Sequence, residues 1–403
     1  MIPARFTDLH AARVRFGDRV ERLAPYLYQV DPVADAAADA LGTLPPGRGW
    51  AVLEEALDRG IDAVSDAPAA LRALFAEVDR VPPWVDWAAI DQGGELLMRA
   101  GAVGGMVLGA RSIVLGYASP GGNKPLVFSG RLKEQAAQRL NETSRFVQAV
   151  CRPGGMRRTS DGFKITVKVR LMHAGVRRMI QRSGRWDDAR WGAPINQHDM
   201  AATTLLFSVV VVEGLRLFGL EVTAAESERY MQLWRYVGRV IGCDPELIPT
   251  GEIEARRLGE LIAATQGAPD DDSRALTRAL LHAGLDAAKT PRARRRARME
   301  RDLSQGLVRG LLGDAMADAL AVPLTPWRHT VSLLRGFNVA AEQVRRRVPA
   351  AHRAAVEAGN RYWDRVVEIG LAGATAEFRL PERLAVSATG GAGLSPPSDG
   401  AAL

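Results

Sequence analysis

The chain has 403 residues, 47% hydrophobic and 25% charged, with a formal net charge of +7. That length admits one large domain or two to three small ones, and the composition is that of an ordinary globular protein with a sizeable core. Two cysteines, Cys151 and Cys243, exclude a disulfide framework. The sequence carries no Walker loop, dinucleotide glycine signature, Ser-His-Asp elbow or H-E-x-x-H, so the common nucleotide, hydrolase and zinc-protease chemistries have no foothold.

Helical periodicity dominates and strand alternation is scarce, which predicts an all-α protein. Up to about Arg80 the pattern reads as helices separated by Leu44-Pro45-Pro46-Gly47 and by Asp66-Ala67-Pro68, and Pro82-Pro83-Trp84 marks a turn before the next helix. From Leu96 to Gly116 an apolar stretch places Gly101, Gly105 and Gly109 at every fourth position. Such a stripe admits close approach of another backbone or of a flat ligand, and tight helix packing is its commoner use. A loop follows at Ser119–Gly122, then a helix over Ser129–Cys151 with Leu132, Ala136, Leu140, Phe146, Val147 and Val150 on its apolar face. Arg139 and Thr143 stand beside that face, and Arg139 is also one turn from Glu142, the spacing of a surface ion pair.

Arg152-Pro153-Gly154-Gly155 ends that helix, and another carries His173 and stops near Gly184. A loop from Trp186 to Gln197 leads to a helix over about His198–Phe218, stopped by Gly219. Its apolar run, Leu205 to Glu213, is too short to cross a bilayer and is broken by a carboxylate, so it reads as buried. His198, with no partner at ligand spacing, reads as a cap or a solvent-facing residue rather than a metal ligand. An amphipathic helix is predicted over Ala225–Ile241, with Trp234 filling core. The polar stretch Gln266–Asp272 precedes Ser273, a candidate N-cap, and the rest is helical to about Leu371. The basic run Lys289–Arg298 reads as a solvated loop or helix start. Without a nucleic-acid reader or interleaved aromatics, an anionic membrane surface is its better-matched partner. From Val386 the Gly/Ser/Pro-rich composition predicts disorder.

The chemistry-bearing motif is Arg170-Leu-Met-His173-Ala-Gly-Val-Arg177. On a helix Arg170, His173 and Arg177 form one stripe, with Val169, Val176 and Ile180 beside it. An imidazole flanked by guanidiniums suits a haem, nitrogen to iron, with Arg170 and Arg177 holding propionates or orienting the histidine helix, although a lone helical histidine is more often a satisfied core or surface residue.

This motif, with Arg139-Leu-Asn-Glu142-Thr143 upstream and Trp191-Gly-Ala-Pro194-Ile-Asn196-Gln197 downstream, resembles the latex-clearing-protein (rubber oxygenase) and MpaB-type oxygenase family from about Pro82 to about Pro249. The resemblance implies a non-covalent haem b with His173 as its proximal ligand and with Arg139 and Thr143 on the distal side. No C-x-x-C-H is present for covalent attachment. Where rubber-cleaving members carry a lysine before that threonine this chain has Glu142, and where they place a distal glutamate an ungapped comparison gives Asn123.

The expectation is therefore a single all-α domain with a globin-like haem-binding core at 81–250. An N-terminal helical segment (1–80) packs on it, C-terminal helices (251–385) complete it, and 386–403 form a disordered tail. The implied activity is oxygenation of an apolar, isoprenoid- or lipid-like unsaturated molecule by dioxygen, with Glu142 or Asn123 orienting substrate or relaying a proton. A haem sensor or electron carrier, or a haem-free helical interaction protein, is the alternative. The N-terminus has no basic region followed by an apolar one, which places the expected site of action in the cytoplasm.

Overall fold

The computed structural model describes residues 2–128 and 136–371, and every regular element within them is helical. Residues 129–135 of the expected 129–151 helix, and the tail from Val386, lie outside the described residues. Helices α1 (Leu9–Phe16) and α2 (Arg19–Leu23) lead into α3 (Pro32–Gly42). Asp31 caps α3 by accepting from the Ala34 N–H at 3.0 Å, and Pro32 presets the first helical φ. The proline-bearing breaks fall where the sequence places them, ahead of α4 (Arg48–Arg59) and α5 (Ala69–Val78).

After Pro82-Pro83-Trp84 come α6 (Trp87–Gly93), α7 (Glu95–Val107), a π-helical turn (Leu108–Ser112) and α8 (Ile113–Tyr117), a near-continuous apolar rod kinked at Gly101, whose φ is +51°. Then follow α9 (Lys124–Phe128), α10 (Ala136–Cys151), α11 (Asp161–Arg182), α12 (Asp188–Trp191), α13 (Gln197–Phe207) and α14 (Val209–Leu217). The single helix expected over 198–218 is in fact two. Ser208 takes φ −102° and ψ −96° while its hydroxyl donates to the Thr204 carbonyl, which breaks the ladder. By length and composition both 87–117 and 197–217 could cross a bilayer, yet half of each apolar window is buried inside the fold. Along 197–217 only Thr203 and Leu217 are exposed, so the apolar run is core, as read.

Helix α15 (Ala224–Val240) starts at a capping box between Thr223 and Glu226. The chain closes with α16 (Glu252–Ala264), α17 (Asp271–Ala287), α18 (Pro291–Leu312), α19 (Asp314–Ala319), α20 (Thr330–Arg347) and α21 (Pro349–Leu371). The N-cap of α17 is Asp270, not Ser273. The Asp270 carboxylate accepts from both the N–H and the hydroxyl of Ser273, which sits three residues inside the cap. The basic run forms the exposed first turns of α18, capped by Thr290. The glycine stripe serves packing: α21 crosses α7 with Gly359 against Gly101, and a Cβ at Gly105 would collide with the Tyr362 hydroxyl, whereas Gly109 faces open space. One core, including Leu53, Phe75, Leu97, Val167, Trp234, Val308 and Trp363, runs from the N-terminal helices to α21, so the described residues form one domain.

The N-terminal segment is tied to α11 by charge. Asp31, Asp35 and Asp39 recur at every fourth residue and so share a face of α3. Asp31 holds Arg170 in a two-pronged pair (2.6 and 3.0 Å), Asp35 pairs with Arg177, and Asp39 takes Arg178 (2.8 Å) and Arg182 (2.9 Å). Glu77 of α5 bridges Arg170 (3.1 Å) to Arg239 of α15 (2.7 Å). Arg170 and Arg177 are only 3% and 1% exposed. Gly242, at φ +88°, lies so close to the Asp31–Arg170 pair that a Cβ there would strike both side chains. Removing one partner of a buried pair strands the other charge, which costs about 3–5 kcal/mol. Asp31→Ala should therefore lose stability of that order in urea unfolding followed by circular dichroism, whereas Asp18→Ala, whose pair with Arg22 is exposed, should change it by less than about 1 kcal/mol.

Candidate active site

A cavity of about 330 Å³ lies between α11, α10, α8 and α13, within the range of small-molecule sites. Helix α11 contributes Val169, Met172, His173 and Val176, the i, i+3, i+4, i+7 spacing of one face. The lining also includes Arg139, Leu140, Glu142, Thr143 and Phe146 of α10, with Ile113, Gly116 and Tyr117 from the rod and Met200, Thr203, Leu206 and Phe207 from α13. The walls are mostly apolar. Trp234 fills core, as expected, and stiffens one wall from behind, stacking on Phe207 with centroids 5.3 Å apart and planes at 14°.

His173 reaches this cavity with Nδ1 buried and unpartnered. Burial, reinforced by the Arg177 charge, pushes its pKa down to about 4. The ring is therefore neutral near pH 7, with a lone pair free for coordination. Among the described residues no three His, Cys, Asp or Glu side chains gather into a set able to hold a bare metal ion. A single neutral imidazole on an apolar wall instead matches a metal that brings its own equatorial ligands.

Arg139 and Thr143 both line the cavity, one turn apart on α10. The Arg139 guanidinium lies 5.6 Å from the Tyr117 ring centroid and donates to the Tyr117 hydroxyl at 3.3 Å. Glu142, 9% exposed, accepts from Gln138 Nε2 at 2.9 Å, so the two residues have separate partners rather than forming a surface pair.

Three sequence assignments change. Arg170 and Arg177 do not line the cavity. They lie roughly 40–60° round α11 from His173, at 100° per residue, and their donors are taken by Asp31 and Glu77 in one case and by Asp35 and the Pro194 and Ile195 carbonyls in the other. They orient the histidine helix and leave no fork for a propionate. Asn123 is also outside the cavity; fully buried, it donates to the Tyr117 carbonyl (2.9 Å) and to Ser273 Oγ (3.0 Å), tying the loop after α8 to α17. His198 neither caps a helix nor faces solvent. Asn196 caps α13, and His198 is buried with Nδ1 3.2 Å from Asp199 and its ring edge-on to Phe6; burial lowers its pKa.

Sequence reasoning passed over Tyr117 and Asp199. Asp199 lines the cavity and is gripped by both terminal nitrogens of Arg5 at 2.6 and 2.8 Å; although burial works the other way, the Arg5 charge and these hydrogen bonds hold it well below the usual carboxylate range. Its partner lies 194 residues away, so no local pattern announces the pair.

Three comparisons bear on identity. The family model described as "ER-bound oxygenase mpaB/B'/Rubber oxygenase, catalytic domain" matches residues 97–346. A rubber oxygenase from Streptomyces sp. (strain K30) is 26% identical over 264 residues, covering 63% of this chain and 62% of that protein's length. The solved structure titled "Structure of Latex Clearing Protein LCP in the closed state" superposes with a TM-score of 0.67 at 21% identity, over 84% of this chain and 91% of the other, and so shares the fold. With the family model spanning more than half its length, the chain belongs to the MpaB/rubber-oxygenase catalytic-domain family.

Proposed function

We propose that this chain is a haem b oxygenase acting on an apolar, unsaturated, isoprenoid- or lipid-like molecule. The observation that carries the reading is the neutral, cavity-facing His173, the lone imidazole of a mostly apolar pocket that Arg139 and Thr143 also line. His173 would hold the iron, and the apolar faces of α11 and α13 would bury the macrocycle. Bound there, haem supplies the means of activating dioxygen for oxidative attack on a carbon-carbon double bond.

The protein's own contribution follows from the side chains. Arg139, oriented by Tyr117, provides a fixed cationic donor that favours negative charge developing inside the cavity, and it acts strongly because the surrounding walls exclude water. Thr143 supplies a hydroxyl that donates or accepts as the ligand requires. Glu142 stands at the same wall with Gln138, a carboxylate where the rubber-cleaving relatives carry a lysine. The mostly apolar lining selects a substrate by burial rather than by hydrogen bonds.

Two measurements test this. Purified protein supplied with haem should show an intense Soret band, and His173→Ala should abolish it while far-UV circular dichroism is unchanged; full haem retention in the variant would remove His173 from the site. Arg139→Ala should keep the haem but weaken cyanide binding by roughly tenfold or more, the loss expected for about 1.5–3 kcal/mol of charge-assisted hydrogen bonding. The same variant should suppress release of carbonyl products from an unsaturated isoprenoid under air. Unchanged cyanide affinity would place Arg139 away from the distal face, and haem binding without any product would favour a sensor or electron carrier.

A further inference from the structure

Helix α20 is amphipathic in the reverse sense. Its inward edge carries Val331 together with a carboxylate, Glu342, which is 7% exposed and pairs with Arg99 and Arg345. Its outward face carries Leu333 (76% exposed), Phe337 (72%) and Val344 (55%), continued by Val348 (43%) just past the end. At 100° per residue these four fall within about 60° of one another. The turn leading into α20 adds exposed Leu324 and Trp327. A contiguous apolar face of this kind marks a contact surface.

The charge along this segment is mostly of one sign, with Arg345 and Arg346 paired to Glu342 and Glu221. Between Pro323 and Val356 there are six arginines and one carboxylate, the inward-facing Glu342. Arg328 donates to His329, Arg335 to the Arg216 and Leu217 carbonyls, and Arg347 to the Gln343 carbonyl, so among the described residues no carboxylate pairs with these three. Helix α18 packs on the same turn, with Gly306 against Trp327, and carries its exposed basic run at its far, N-terminal end.

We infer that this face docks on an anionic lipid bilayer, with α20 lying in the interface, its apolar side chains among the acyl chains and its arginines at the headgroup phosphates. A second copy would bring the same uncompensated arginines against these, which disfavours self-association. Residues 372–403, with three carboxylates against two arginines, offer little complementary charge. The inference goes beyond the haem reading and is independent of it, because the haem-free chain should bind as well.

The test is co-sedimentation of the full chain with phosphatidylcholine vesicles, with and without phosphatidylglycerol, at low and high salt. Partitioning should be at least about tenfold stronger with the anionic lipid and should fall as salt screens the charge. L333E/F337E should lower it by more than about tenfold, since each buried apolar side chain is worth at least that factor. R328Q/R347Q should lower it by about fivefold per charge on anionic vesicles only. All positions are exposed, and unchanged thermal melts of both variants will show that folding is intact. Equal binding to neutral and anionic vesicles, no binding to either, or unchanged binding by both variants would overturn the inference. So would a dimer seen in sedimentation velocity that L333E/F337E dissociates while neither protein binds vesicles.

Discussion

The structure turns on the need to neutralise two arginines buried in α11. Arg170 and Arg177 sit almost without solvent, and an isolated buried charge costs several kcal/mol, so the fold is required to bring carboxylates to them. It does so with α3, whose cap residue Asp31 serves both the Ala34 N–H and Arg170, and whose Asp35 meets Arg177. That demand fixes the rotation and height of α11 against the N-terminal helices. With the helix locked on one side, His173 emerges on the adjacent side, in the cavity. The spacing that looked like a cofactor clamp is instead a two-point mount for the helix bearing the histidine.

The cavity shows the same division between apolar wall and paired charge. Asp199 is kept anionic by Arg5, and Arg139 is aimed by the Tyr117 ring and hydroxyl, while the unpaired group is His173 Nδ1. Among the buried polar atoms of the lining, the imidazole nitrogen is one without a hydrogen-bond partner, on a ring that burial keeps neutral. In the proposed reading, Arg139 would act on a ligand from the position that Tyr117 presets.

The all-α class, the helix breaks at proline and glycine, and the faces of α10 and α11 were legible because 3.6-residue periodicity and breaker residues are local signals. Resemblance to a family the chain does belong to singled out Arg139, Thr143 and His173, and these three do line one cavity. The rest depended on partners far along the chain. Nothing near Arg170 signals Asp31, 139 residues away, and nothing near Asp199 signals Arg5. Asn123 was expected at the distal side from an ungapped comparison, but its hydrogen bonds to the Tyr117 carbonyl and Ser273 hold it in the interior away from the cavity. Ser208 broke a helix because its hydroxyl bonded the preceding turn, a choice periodicity does not register.

Periodicity also says that a helix has two faces without saying which one is inside. For α20 the apolar stripe would ordinarily be assigned to the core. The ion pairs reverse the assignment: Glu342 must meet Arg99, which is itself buried and held by Glu226 and the Glu221 carbonyl, and this turns Leu333 and Phe337 outward. The exposed face of α20 thus arises from the same rule that mounts α11. Buried arginines take precedence in choosing their neighbours, because stranding a charge costs more than leaving two apolar side chains in water.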